Sequence, residues 1–283
     1  MTGESILIVG ADADPPVRLR RISRLPSGAS DAVPVVFVHG AWHGAWCWDA
    51  NFLPYFAHHG HPAYAFDLRG HGGSQGTGPL RRTRIDDYVC DLEQVVAGFA
   101  TSPVLVGHSM GGLIVQRYLE AHPGAGGVLL ASLPPGGSQS VALRLAARHP
   151  ITMMKVLTTR SLLPLVATPQ RAREAFFSPG IDDRRLADYF AQLQDESYRA
   201  FLDVALHRVR PRPIRAPMLV VGAQHDTFLS HADVRATARV FHTTATFFPA
   251  AHDLMLEDGW QNVADHILRW LDQRRAPAHR LDE

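Results

Sequence analysis

The chain has 283 residues, with 28 Lys and Arg against 27 Asp and Glu and a formal net charge of +1. That length suits one large α/β domain or a core carrying an inserted subdomain. The near-zero charge gives no global field that would point to nucleic acid or to an acidic partner. Two cysteines, Cys47 and Cys90, are too few for a metal cluster or a disulfide framework and read as buried free thiols. The first ten residues carry no basic leader with an apolar run, and no stretch reaches the roughly 18 apolar residues of a membrane span. A soluble, cytoplasmic protein is expected, one for which a homo-oligomer is compatible. Lys155 is the only lysine, and its distance in sequence from every motif argues against Schiff-base chemistry.

Residues 6–9 and 17–22 read as two strands, and the Asp12-Ala13-Asp14-Pro15-Pro16 turn between them predicts an antiparallel hairpin. A continuous apolar strand follows at 33–38 and ends at His39-Gly40. Residues 46–59 read as one helix, broken at Gly60 and Pro62, with a strand at 63–66 ending on Asp67. Ile85, Val89, Leu92, Val95, Val96 and Phe99 recur at helical spacing. The short strand 103–106 runs into Gly107-His108-Ser109-Met110-Gly111 and then into a helix from Gly112. Residues 127–131 form another strand.

From about Ser138 to Ala205 no buried strand is apparent. The stretch reads as amphipathic helices broken at Pro150, Pro164, Pro169 and Pro179. Strands return at 217–221 and 244–248, each followed by a helix, at 234–241 and 260–273. Alternating strands and helices predict a mostly parallel eight-stranded sheet flanked by helices. Residues 1–134 and 206–275 form the expected core, 135–205 an inserted helical block, and 276–283 a loose tail.

The stretch Gly107 to Gly111 has the G-x-S-x-G form of a nucleophile elbow, set between a strand and a helix as that turn requires. Its strain leaves no room for bulky neighbours two residues away, and the helix start behind it favours negative charge. A serine hydroxyl needs a general base. His252, between the last predicted strand and the last helix, is the best placed of 16 histidines. Asp226, past the strand 217–221, sits at the sheet edge where open α/β sheets bind ligands and is expected to orient that histidine. Asp253, adjacent to His252, reads as a loop or cap residue instead. The amides of Met110 and of Ala41, in the loop after 33–38, are the expected oxyanion donors. No metal or organic cofactor is called for.

With these motifs in the order serine, acid, histidine, the chain resembles the α/β-hydrolase superfamily, and the resemblance covers nearly everything outside the helical insertion. It rests on His39-Gly40-Ala41-Trp42, on Asp67-Leu68-Arg69-Gly70-His71-Gly72-Gly73-Ser74, on the elbow, on Asp226 and on His252. It implies an esterase-like or lysophospholipase-like serine hydrolase with a cap (lid) over the pocket. Ser109 stands where epoxide hydrolases and haloalkane dehalogenases of the superfamily use an aspartate, which argues against both. His39 to Trp48 is similar to the plant esterase and hydroxynitrile lyase branch. That branch relies on a lysine above the serine for cyanohydrin cleavage, and Lys155 is the one candidate.

A carboxylic ester is the expected substrate; thioester, amide, acyl-transfer or lyase chemistry on the same residues and a non-catalytic ligand-binding role are the alternatives. Trp42 and His108 are candidate substrate contacts, elbow packing being the other reading of His108. Trp46 and Trp48 are read as core, and Asp67 to Ser74 as a loop brace. Met153, Met154, Leu157, Leu162, Leu163, Phe176 and Phe177 could form an acyl-binding face or simply pack helices on the core. Arg144, Arg148, Arg171 and Arg173 read as a solvated face.

Overall fold

The structure, a computed structural model, describes residues 2–9, 17–76, 78–206 and 209–275. The strands are β1 (Thr2–Val9), β2 (Val17–Arg24), β3 (Val35–Val38), β4 (Ala63–Phe66), β5 (Val104–His108), β6 (Gly126–Leu130), β7 (Met218–Ala223) and β8 (Ala245–Phe248). They form one eight-stranded sheet in the order β1-β2-β4-β3-β5-β6-β7-β8. β2 pairs antiparallel with both β1 and β4, and every other pairing is parallel. β3, β5, β6 and β7 are buried at every position. Their unbroken apolar runs are what a parallel strand covered on both faces requires. The expected hairpin pairs as predicted, while its Asp12–Pro16 turn lies outside the described residues, as does the 276–283 tail.

The helices flanking the sheet are α1 (Trp46–Asp49), α2 (Phe52–His58), α3 (Ile85–Ala97) and α4 (Met110–Ala121). Between β6 and β7 lie α5 (Gln139–Arg148), α6 (Pro150–Thr159), α7 (Pro169–Phe176), α8 (Asp183–Phe190) and α9 (Tyr198–Leu206). After β7 come α10 (His231–Val240) and α11 (Trp260–Arg275). α4 packs on β5 and α3, α11 on α2, and α10 on β7 and β8.

The single helix predicted over 46–59 is two, because Pro54 lacks an N–H and its ring would clash with the Ala50 carbonyl in a continuous helix. Asn51 breaks the run at φ −141°, and Pro54 falls in the first turn of α2, where its missing donor costs nothing. Pro150 and Pro169, read as breaks, occupy the first turns of α6 and α7. α10 starts three residues before its predicted start. Ser230 and Asp233 bond reciprocally there, Ser230 N to Asp233 Oδ2 at 3.0 Å and Asp233 N to Ser230 Oγ at 3.2 Å. Cys47 is buried as expected, but Cys90 is exposed on α3.

Candidate active site

Ser109 sits between β5 and α4 at φ 52° and ψ −117°, a conformation that costs of order 1–3 kcal/mol and persists only when neighbours enforce it. Three backbone bonds do so. Ser109 N donates to Leu130 O at 3.1 Å, and the Ser109 carbonyl accepts from Gly112 N and Leu133 N, both at 3.1 Å. The elbow glycines are steric necessities. A Cβ at Gly107 would lie 2.4 Å from the Gly111 carbonyl oxygen, and one at Gly111 would lie 2.3 Å from that of Val38. A Cβ at Gly40 would come 3.1 Å from Ser109 Cβ, so the loop carrying Ala41 passes directly over the serine. Met110 opens α4, where the first N–H groups have no intrahelical acceptor.

His252 and Asp226 come together from the loops after β8 and β7. His252 Nδ1 donates to Asp226 Oδ2 at 2.9 Å. Asp226 Oδ1 accepts from the Phe228 and Leu229 amides at 2.8 and 3.0 Å, which fixes the carboxylate's plane. Burial disfavours the charge on His252, yet the Asp226 carboxylate outweighs it and raises the imidazole above its ordinary value. The Phe228 ring packs 4.7 Å from the imidazole.

Asp253 lies in a loop, as read, but it is buried rather than free at the surface. Its Oδ2 accepts from His43 Nε2 at 2.9 Å, while its Oδ1 lies 3.6 Å from His108 Nε2. The other nitrogen of His43 meets the Ala41 carbonyl at 2.7 Å. Burial pushes the Asp253 carboxyl up, but His43, His108 and His252 together hold it below its ordinary value. His108 is equally buried. Its Nε2 donates to the His252 carbonyl at 3.1 Å, and burial, reinforced by His252, lowers it to about 3. It does not line the pocket, so the elbow-packing reading of His108 replaces substrate contact. His108, His252 and Asp253 also place one ligand atom each within 4.8 Å of one another, the spacing of a metal site. Hydrogen bonds to the His252 carbonyl, Asp226 and His43 already engage the three side chains.

The loop from Asp67 to Ser74 does brace. Asp67 accepts from Ala45 N at 2.6 Å, Gly73 N at 2.9 Å and Arg20 Nη1 at 3.1 Å. It also grips the segment before α9. His71 Nε2 donates to Glu196 Oε2 at 3.1 Å, and Tyr88 donates to Glu196 Oε1 at 2.7 Å. Gln194 bonds Gly72 N at 2.7 Å and Gly70 O at 3.0 Å through its side chain, and Trp42 O at 3.0 Å through its backbone N–H. Burial opposes both charges of the His71–Glu196 pair. Each partner nevertheless stabilises the other, so His71 is raised and Glu196 lowered.

Ser109 and His252 face one cavity of about 70 Å³, lined also by Ala41, Trp42, Met110, Leu162 and Phe228, with Val141, Ala142 and Leu145 of α5. Trp42 thus lies where expected, its φ at 66° and its Nε1 donating to Leu162 O at 3.3 Å. Trp48 is core; Trp46 is half-buried and stacks on His43 at 5.4 Å. Of the proposed acyl face, Leu162 reaches the cavity and Phe176 packs against Trp42 at 5.8 Å. Met154, Leu157 and Leu163 point outward to solvent. His43, Glu196 and Phe228 were not singled out by sequence reasoning. The partners of His43 and Glu196 lie 210 and 125 residues away, so no local pattern reveals them.

A sequence profile of the alpha/beta hydrolase family matches residues 35–266, and the chain belongs to that family. A non-heme chloroperoxidase of Streptomyces lividans is 38% identical over 112 residues, covering 38% of this chain and 40% of the relative. A probable esterase of Oryza sativa subsp. indica is 35% identical over 117 residues, covering 39% and 43%. The matched part thus spans about two fifths of the length of these relatives. Among solved structures, a thermophilic esterase from Thermogutta terrifontis superposes with a TM-score of 0.73 at 18% identity, covering 96% of this chain and 99% of that one. At that identity the likeness is one of fold. No described helix is long and apolar enough to cross a membrane.

Proposed function

We propose that the protein is a serine hydrolase that cleaves a carboxylic ester through an acyl-enzyme intermediate. The observation that carries this reading is Ser109, held at φ 52° and facing the same cavity as a histidine bonded to a buried aspartate. His252 Nε2 takes the Ser109 proton as Oγ attacks the carbonyl carbon, and Asp226 stabilises the imidazolium that results. The amides of Ala41 and Met110 hold the oxyanion. Collapse breaks the ester C–O bond, and His252 delivers the proton to the leaving alcohol. Water, deprotonated by His252, then attacks the acyl-serine; the acid leaves and Ser109 recovers its proton.

Residues 135–205 serve as the cap in this reading, over a core of 1–134 and 206–275. A cavity of about 70 Å³ with mostly apolar walls holds roughly two water molecules' worth of space, which favours a small or slender apolar acyl part. Lys155 is exposed on α6 and does not line the cavity, which favours hydrolysis over a lysine-assisted lyase reaction. Two free thiols go with a reducing, cytoplasmic location.

The test is Ser109→Ala assayed on p-nitrophenyl acetate and butyrate, alongside labelling of the unmodified chain with a fluorophosphonate. Loss of several orders of magnitude in kcat is expected, with one adduct on Ser109. Full activity in the alanine variant ends the reading, and an unlabelled serine turns it toward a binding role.

A further inference from the structure

Among the described residues seven large apolar side chains stand exposed, and five of them fall between positions 143 and 163. They are Leu143, Ile151, Met154, Leu157 and Leu163, with exposures from 40% to 76%. Ile151, Met154 and Leu157 recur every three residues and so share one side of α6. Thr152 and Val156, on the other side, are buried. α6 therefore presents an apolar outer face that none of the described residues covers.

The charge around that face is predominantly positive, with Asp195 accepting from the Leu162 and Leu163 amides at one end. From Ala121 to Arg173 the sequence holds no Asp or Glu and six cations, among them Arg148, Lys155 and Arg160. Arg144 and Arg173 pair with Asp233 and Asp183, whereas Arg148 and Arg171 donate to backbone carbonyls. Next to Leu157, Arg81, Arg82, Arg84, Arg160 and Arg199 line a surface groove of about 550 Å³. Of the acids beside it, Asp203 is buried and shared between Arg84 and Arg199 at 3.2 Å each, while Asp86 and Asp87 also lie near Arg84.

We propose that the outer face of α6 and the adjoining arginine groove form a docking surface for an anionic lipid bilayer. The apolar side chains enter the boundary between headgroups and acyl chains, and the arginines meet lipid phosphates. A second copy of the chain fits poorly, because docking the same face on itself sets two acid-free cationic stretches against each other. An anionic bilayer satisfies both halves of the surface at once, apolar area and positive charge. The inner side of α5, through Val141, Ala142 and Leu145, lines the cavity of Ser109, and α6 packs against α5. This inference is independent of the ester-hydrolase reading.

The experiment is co-sedimentation of the whole chain with vesicles of phosphatidylcholine alone or mixed with phosphatidylglycerol. Binding to the mixed vesicles only is expected, with release at high salt and no displacement by inorganic phosphate. The variant Ile151→Ser/Met154→Ser/Leu157→Ser should bind at least tenfold more weakly. Arg81→Gln/Arg82→Gln/Arg160→Gln should lose roughly a hundredfold, at about fivefold per cation. Both sets alter outward-facing positions, so unchanged melting temperatures are expected, and each tests the surface by itself. No binding to the mixed vesicles overturns the proposal. So does binding that both variants retain, or a dimer in sedimentation velocity that the serine variant dissolves, since the occupant is then a second copy.

Discussion

Replacing Asp253 by alanine removes the acceptor that holds His43 Nε2 at 2.9 Å and the charge 3.6 Å from His108 Nε2. All three groups are buried, and deleting one partner of a buried pair costs about 3–5 kcal/mol. In a chain of this size 1 kcal/mol moves the melting temperature by roughly 2–4 °C, so a drop of about 6–20 °C is expected at neutral pH. The Asp253 carboxyl is held below its ordinary value. Its contribution to stability is therefore present above a pH of about 4 and is lost as pH falls through the lowered pKa. The gap between parent and Asp253→Ala should narrow in acid. Asp253 also helps to raise His252, so the acid limb of kcat/KM on a p-nitrophenyl ester should move to lower pH. Asp253→Asn keeps an acceptor for His43 without the charge, and should shift the limb while losing less stability. Calorimetry across pH and a pH–rate profile measure both effects. A melting temperature within about 2 °C of the parent at neutral pH, with an unmoved acid limb, would refute the reasoning.

Asp226→Asn should lower kcat by about 10⁴ and move the acid limb down, since the carboxylate that raises His252 is gone; pH-resolved ester kinetics read both. Gly107→Ala drives a Cβ to 2.4 Å from the Gly111 carbonyl oxygen. Backbone cannot step aside as a side chain would, so destabilisation beyond the usual 1–3 kcal/mol of overpacking should appear in urea unfolding. Glu196→Gln removes the charge facing His71. The pair's contribution is complete between the ordinary carboxylate pKa and that of an ordinary histidine, about 4.3 to 6.5. It falls away in acid as Glu196 protonates and in base as pH passes the raised pKa of His71. The variant should show a flatter stability profile across pH in urea titrations, and an unchanged profile would count against the pair.

The elbow was legible because its constraint is local: a strained serine needs glycines at fixed offsets, and Gly107 and Gly111 supply them. The mostly parallel sheet followed from apolar runs alternating with helices, and the candidates Asp226 and His252 from their places at strand ends, whereas the order of the strands has no signature in those runs. His108 was not decided by sequence, because β5 is covered on both sides and burial does not tell which face a side chain takes. The split between α1 and α2 turned on Pro54, a single residue inside an otherwise helical pattern. The outward turn of Met154 and Leu157 escaped hydrophobicity as well, since an apolar helix face reads the same whether it meets a core or something outside the chain.

The grip of Gln194 and Glu196 on the 70–74 loop makes the wall of the cavity mechanically unequal. One edge is riveted to the loop after β4 by a buried ion pair and by a carboxamide that spans two backbone groups. Another edge, α5, turns Leu143 outward to solvent. Amides of the 194–197 segment should therefore exchange with solvent deuterium only on global unfolding, while those of α5 exchange through small local openings. If the cavity widens to admit a larger molecule, α5 should be the part that moves while the Gln194 edge stays put.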